Sequence, residues 1–256
     1  MIDTHAHLSV SAFDADRDAV VARALEANRH VVEIAIAPDT ARKAVALAEA
    51  NERISASVGI HPHEAGRQTI DDLEPLMPLY DNPVVVAVGE TGLDFYRDYA
   101  PHDRQETLFR RQIGVARERG LPLVLHSRGA EREVIDILRE EKAQAIGGVL
   151  HCYGGPMELI PEILDLGFYI GFGGSVTRSK GRYRKMLKDV PVESVLLETD
   201  CPYLAPAPET SRRNEPAFLA EVIPLMASFM GIEAAVLDEA SDRNAAALFG
   251  SRLTRA

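Results

Sequence analysis

Tryptophan is absent from this 256-residue chain, and only two cysteines occur, Cys152 and Cys201. Two thiols do not make a disulfide framework, so a small domain stapled by bridges is excluded. Each cysteine follows a candidate ligand residue and reads as a small buried hydrophobe rather than a reactive thiol. No run of about 18 apolar residues is present, so no transmembrane helix is expected. No basic segment leads into an apolar stretch at the N-terminus, so no secretory signal is expected, and the expected compartment is the cytoplasm. Positive charge is also scarce: 28 basic residues against 39 acidic ones give a net charge of −11. That balance excludes a protein that holds nucleic acid by its overall field. A polyanionic substrate would have to be held locally, by metal ions or by a basic patch. One such patch exists, TRSKGRYRKMLK at 177–188, with six basic residues and no acidic one. It reads equally well as a solvated face and as a substrate contact.

Against these absences stand eight short apolar, β-branched runs, at 1–3, 31–37, 54–60, 84–90, 121–127, 147–153, 167–174 and 194–200. They are too short for most helices and too continuous for one-sided strands, which suits buried parallel strands. Stretches with helical spacing separate them. Residues 14–29 carry Val20, Val21, Ala24 and Leu25 on one side. Asp39 is the expected cap of an alanine-rich helix, and Gly120 the expected stop of a helix that starts near 101. Residues 130–143 are amphipathic, whereas the basic segment at 177–188 is doubtful as a full helix. Asn214 is expected to cap a helix with Pro216 in its first turn, and Ser241 to cap a last one that ends at Gly250. Strand–helix alternation repeated eight times predicts an α/β protein, a (β/α)8 TIM-type barrel forming a single domain over 1–256. The open doubly wound alternative normally places a glycine-rich phosphate loop after its first strand. Here THAHLS follows instead.

Histidine and carboxylate residues gather where these strands end. His5 and His7 follow the first run, His61 and His63 the third, and Glu90 closes the fourth. His126 ends the fifth, His151 falls in the sixth, and Glu198 and Asp200 end the eighth. Six of the eight histidines occupy such positions; His30 and His102 do not. In a barrel the C-terminal strand ends converge on one mouth, where active sites lie. Buried charges are costly without a partner, and divalent cations are a natural partner for imidazoles and carboxylates. Such ligands suit Zn, Mn, Ni, Co or Fe, and carboxylate with water suits Mg.

The motifs DTHAHL, VGIHPH, VGETGLDFYRD, PLVLHSRGA, LHCYGG, LLETDCPYLAP, RNEP and NAAALFG span almost the whole chain. In that order they resemble the TatD family of metal-dependent hydrolases and DNases, within the amidohydrolase-like barrels. The resemblance implies two divalent metal ions. One would be held by His5, His7, Glu90 and Asp200, the other by Glu90, His126 and His151, with Glu90 bridging. Many relatives carry Cys in place of Ala6 and Asp in place of Ser9, neither of them a ligand here. Two such ions activate water and neutralise charge on a phosphodiester. The expected function is a phosphodiesterase or DNase of 3′→5′ exonuclease type, with DNA or another phosphodiester as substrate.

Asp200 is the candidate general base, or a ligand only. Glu198 is expected to orient a ligand or a basic side chain. His61 and His63 are expected on the substrate side or in a supporting role. Arg128 is a candidate phosphate clamp, because guanidinium binds phosphate oxygens in a fork. Asp94 and Arg97 follow Glu90 without an assigned role. Tyr153, Phe95 and Tyr203 are candidates for base stacking. No membrane or obligate protein partner is expected. The alternative is an amidohydrolase-type enzyme acting on a non-nucleic-acid ester, lactone or amide. Many such enzymes bridge their metals with a carboxylated lysine on strand four, and this chain has Glu90 there.

Overall fold

Eight strands pair in chain order in one parallel sheet. They are β1 (Ile2–Ala6), β2 (His30–Ile34), β3 (Ile54–Val58), β4 (Val85–Asp94), β5 (Leu123–Arg128), β6 (Gly148–Leu150), β7 (Phe168–Phe172) and β8 (Val195–Leu197). The structure is a computed structural model and describes residues 1–97 and 99–253. The helices α1 (Arg17–Ala27), α2 (Pro38–Ala50), α3 (His102–Arg119), α4 (Glu131–Glu140) and α5 (Ile160–Asp165) cover the first half and middle of the barrel. They are followed by α6 (Ser175–Arg178), α7 (Lys180–Asp189), α8 (Ile223–Met230) and α9 (Ala234–Phe249). A 3-10 segment at Ile70–Asp81 stands where a helix would link β3 to β4; Pro75 and Pro78 inside it deny the α-helical hydrogen bonds. No single helix among the described residues is long and apolar enough to cross a membrane.

The barrel closes between β1 and β8 by an uneven seam. At the mouth, backbone bonds run from Asp200 N–H to His5 C=O (2.8 Å) and from His7 N–H to Cys201 C=O (2.9 Å). Deeper down, side chains do this work. Thr4 Oγ1 donates to Leu197 C=O (3.0 Å), and Asp3 accepts from Thr199 N–H (3.0 Å) and Thr199 Oγ1 (2.6 Å). Ile2, Val32, Ile34, Val86, Val124, Val149 and Leu196 form one buried cluster with Ala245, Phe249 and Leu253. Residues from six strands can meet in this way only inside the barrel, so the C-terminal helical segment plugs its floor. Side chains alternate along a strand. Two residues beyond inward Val124, Val149 and Leu196 come His126, His151 and Glu198, which the alternation carries up to the mouth.

All eight expected strands are present, with different ends. β1 runs on through His5. β4 continues four residues past Glu90, because Thr91 to Asp94 pair with Leu125 to Arg128 of β5 after a register shift. Glu90 therefore sits inside a strand, not at its end. β8 stops at Leu197, so Glu198 and Asp200 do not share a strand face; Asp200 lies in the following loop at φ 54°. The basic segment is helical, as α6 and α7, with Tyr183, Met186 and Leu187 buried. Three expected caps are not caps. Asp39 is inside α2, whose N-cap is Ala37. Asn214 donates to Thr199 C=O (2.8 Å) and Tyr203 C=O (2.7 Å), bracing the loop after β8, and Glu215 takes the cap position. Ser241 is in mid-α9, where its Oγ accepts from Leu197 N–H (2.9 Å). Gly120 and Gly250 end their helices as expected, both at positive φ.

Candidate metal centre

Glu90 is buried at the centre of a histidine cluster. Two glycines let its strand come close to β5. Gly89 and Gly92 have φ of 153° and 126°, and a Cβ at either would strike the backbone of Val124 or His126. The two carboxylate oxygens of Glu90 then face different partners. Oε2 lies 3.5 Å from His5 Nε2 and 3.6 Å from His7 Nε2. These two nitrogens are 3.2 Å apart, and Asp200 Oδ1 is 3.3 Å from His7 Nε2 and 3.9 Å from His5 Nε2. Oε1 lies 3.1 Å from His126 Nδ1 and 2.8 Å from His151 Nε2, which are 3.3 Å from each other.

Both groups fit a cation. Donors about 2.1 Å from one ion stand roughly 3.0–3.4 Å apart at octahedral or tetrahedral angles. His5, His7 and Asp200 form one compact donor group and Glu90, His126 and His151 another, each able to hold an ion. The ring tautomers agree. His7 Nδ1 faces the Ile34 carbonyl at 2.9 Å, which only accepts, so Nδ1 carries hydrogen and Nε2 is the nitrogen turned to Glu90 and Asp200. His126 Nε2 donates to Asp94 Oδ2 (3.1 Å), which leaves Nδ1 as its lone-pair donor. This second partner orients a ligand and raises its basicity.

The same crowding of carboxylates and imidazoles sets their protonation preferences. Burial pushes the His5 imidazole down to about 3. It acts against charged His7 too, but the Asp200 hydrogen bond and the Glu90 charge outweigh it and lift His7 to about 9. His151 is raised well above its ordinary value against its burial, chiefly by Glu90 and Glu198. Burial pushes Glu90 up, yet His61, His151 and His5 together hold it well below the usual carboxylate range. The carboxylates draw protons onto imidazoles, and cations would supply the same charge.

A cavity of about 540 Å³ opens over this centre, lined among others by His7, His61, His63, Arg128, Asp200 and Tyr203. His61 Nδ1 accepts from His63 N–H (3.1 Å), so its Nε2 carries hydrogen and points at Glu90 Oε1 (3.4 Å). His63 Nε2 donates to Asp94 Oδ2 (2.7 Å). Arg128 lies over the Tyr96 ring, 4.3 Å from its centroid. Glu198 accepts from Cys152 N–H through Oε1 (2.5 Å), which is also 3.7 Å from His151 Nδ1. Its Oε2 has no hydrogen-bond partner and abuts Gly171. Two stacking candidates are not available at the mouth. Tyr153 is buried with its hydroxyl on Pro156 C=O (2.6 Å), and Phe95 stacks on His102 at 3.7 Å.

Sequence reasoning missed three carboxylates. Asp94 holds His63 and His126. Glu33 accepts from Leu8 N–H (2.6 Å) and Ser9 N–H (2.8 Å), pinning the turn after His7. Asp3 accepts from His5 N–H (3.2 Å). The available signal was a lone acid in an apolar run, as in MID and VVEIAIA.

A parallel barrel with this donor set at its mouth places the chain among the metal-dependent hydrolases. It belongs to the TatD-related DNase family, whose model matches residues 2–250. The chain is 36% identical over 251 residues to a metal-dependent hydrolase of Bacillus subtilis, YabD, covering 97% of this chain and 98% of that one. It is 36% identical over 258 residues to a protein of Klebsiella pneumoniae named 3′-5′ ssDNA/RNA exonuclease TatD, covering 98% of each. Among solved structures, the TatD homologue YJJV of Escherichia coli superposes with a TM-score of 0.91, at 29% identity over 97% of both chains.

Proposed function

We propose that this hydrolase is a 3′→5′ exonuclease of single-stranded DNA or RNA that works with two divalent cations. The observation that carries this reading is the division of Glu90, one oxygen toward His5 and His7 and the other toward His126 and His151. The ligand sets are then His5, His7, Glu90 and Asp200 on one side and Glu90, His126 and His151 on the other. Cations held there would lower the pKa of water and neutralise charge on a phosphodiester. Glu90 faces both sets, one oxygen to each. Asp200, exposed to the cavity, takes the proton of the attacking water. His61, with its Nε2–H turned to Glu90 Oε1, supports that carboxylate and lines the wall beside it. His63, tied to Asp94, lines the same wall. Arg128 offers its fork to a neighbouring phosphate, with its plane set by Tyr96. Glu198 keeps His151 in place from behind. This arrangement meets the charge problem of an acidic protein with a polyanionic substrate, because attraction is confined to the mouth.

Family membership speaks against the alternative of a lactone, amide or non-nucleic-acid ester. So does β4, which supplies Glu90 and no lysine as a bridge. The test is hydrolysis of end-labelled single strands by metal-stripped protein, with Mg, Mn or Zn added back and Glu90→Ala beside it. A metal-dependent ladder shortening from the 3′ end, lost in the variant, is expected. No cleavage with bound metal confirmed would overturn the reading.

A further inference from the structure

Among the described residues the exposed large apolar side chains are Ile70, Tyr96, Tyr99, Tyr203 and Val236. Every aromatic in that set belongs to the barrel mouth. Tyr99 and Tyr203 line the cavity itself, and Tyr96 lies beneath Arg128, which lines it. Their settings differ. One face of Tyr96 is taken by the Arg128 guanidinium at 4.3 Å, so this ring orients a charge. Tyr203 is 55% exposed, and its ring stands edge-on to His7 with centroids 6.1 Å apart. Tyr99 is 62% exposed and edge-on to His63 at 4.8 Å, and His63 is in turn 5.8 Å from His126. His7 and His126 approach different oxygens of Glu90. The two tyrosines therefore stand beside different histidine groups of the centre.

A large ring left in water beside a binding cavity is apolar surface waiting for a partner. Every nucleobase has a π-face, and stacking on an aromatic side chain is tolerant of sequence. We infer that Tyr99 and Tyr203 are nucleobase platforms, one beside each histidine group of the metal centre, which stack the nucleosides on both sides of the cleaved linkage. This rests on the exonuclease reading and extends it. The recognised unit is a dinucleotide step, and both bases must be unstacked from a duplex to reach their rings. Strand preference then comes from the tyrosines and not from a basic surface.

The test uses Tyr99→Ala, Tyr203→Ala and the Tyr→Phe change at each site. Both residues are more than half exposed, so alanine leaves the core intact, and phenylalanine keeps the ring. Oligonucleotides carry 2-aminopurine, or an abasic spacer, at the last or the penultimate position. Binding of cleavage-resistant phosphorothioate strands to the metal-loaded protein is followed by anisotropy and by 2-aminopurine fluorescence, which reads stacking apart from turnover. The probe should be quenched by the wild type and the phenylalanine variants. Quenching at one position should be lost in Tyr203→Ala and at the other in Tyr99→Ala. With cleavable strands, each alanine should raise KM for the intact strand about five- to hundredfold. It should leave KM unchanged when the base facing it is already missing. An unquenched probe at saturation, or no binding at all, would overturn the proposal. So would alanine variants that weaken intact and abasic strands alike. Quenching without cleavage by any metal form sinks the exonuclease reading and leaves the platforms standing; cleavage without quenching or abasic discrimination sinks the platforms alone.

Discussion

Asp94 touches two histidines at once, accepting from His63 Nε2 at 2.7 Å and His126 Nε2 at 3.1 Å. Burial pushes its carboxyl up, but these two hydrogen bonds and the Arg97 N–H hold it well below the usual range. It thereby decides which nitrogen of His126 carries a lone pair. Asp94→Asn should weaken metal binding about 10–100-fold, measured by titration of metal-stripped protein, with the fold kept. Unchanged affinity would mean that His126 is held by packing alone. The candidate ligands stood out as residues, since histidine and glutamate are rare in apolar runs and each such residue invites a reason. Asp94, Glu33 and Asp3 were not, because what gives each its role is a partner on another strand. The stacking candidates show the same limit: Tyr203 is exposed at the mouth, while Tyr153 turned inward to reach Pro156.

At the scale of elements, β4 and β5 are held in close approach by glycine. Gly92 sits at φ 126°, where a Cβ would collide with the carbonyl of His126. Gly92→Ala should destabilise the protein by about 2 kcal/mol or more from backbone strain and displacement, and should disturb Glu90 and His126 together. Denaturant unfolding and metal titration of the same variant check both. The 3-10 segment before β4 offers a pH test. Tyr80 is buried and donates to Val58 C=O (3.2 Å), and burial raises its phenol above the ordinary 10.0. A raised folded-state pKa means stability that is complete below pH 10 and lost as pH rises above it, since the unfolded chain gives up its proton first. Tyr80→Phe should cost about 1 kcal/mol at neutral pH and should lose less of its Tm than wild type between pH 9 and 11. An identical alkaline decline would assign the loss to other tyrosines. Apolar runs revealed all eight strands, because burial on both faces is written locally. Caps were read poorly: Asn214 and Ser241 have cap chemistry, but distant backbone groups claimed their side chains.

For the whole molecule, a cation that binds only the folded barrel stabilises it by mass action. At a hundredfold excess over Kd this is about 2.7 kcal/mol per ion, or roughly 5–10 °C in Tm for a chain of this size. Stripping with chelator should lower Tm by that order, and Glu90→Gln should abolish most of the difference. A melting curve indifferent to chelator would show that the site is preformed and weakly occupied.

Eightfold alternation of apolar runs and helical spacing determined the barrel from sequence alone, because hydrophobic periodicity is a local property of the chain. A candidate metal site was legible there too, through the types of residue at the strand ends, while the hydrolase reading rested on the resemblance of whole motifs. Only the tertiary structure decided the division of Glu90 between two histidine groups, the length of β4 past it, and the hidden work of Asp94. Those depend on strand register and on groups from opposite sides of the barrel meeting within hydrogen-bond reach. Such distances arise on closure of the sheet, and no stretch of the chain encodes them by itself.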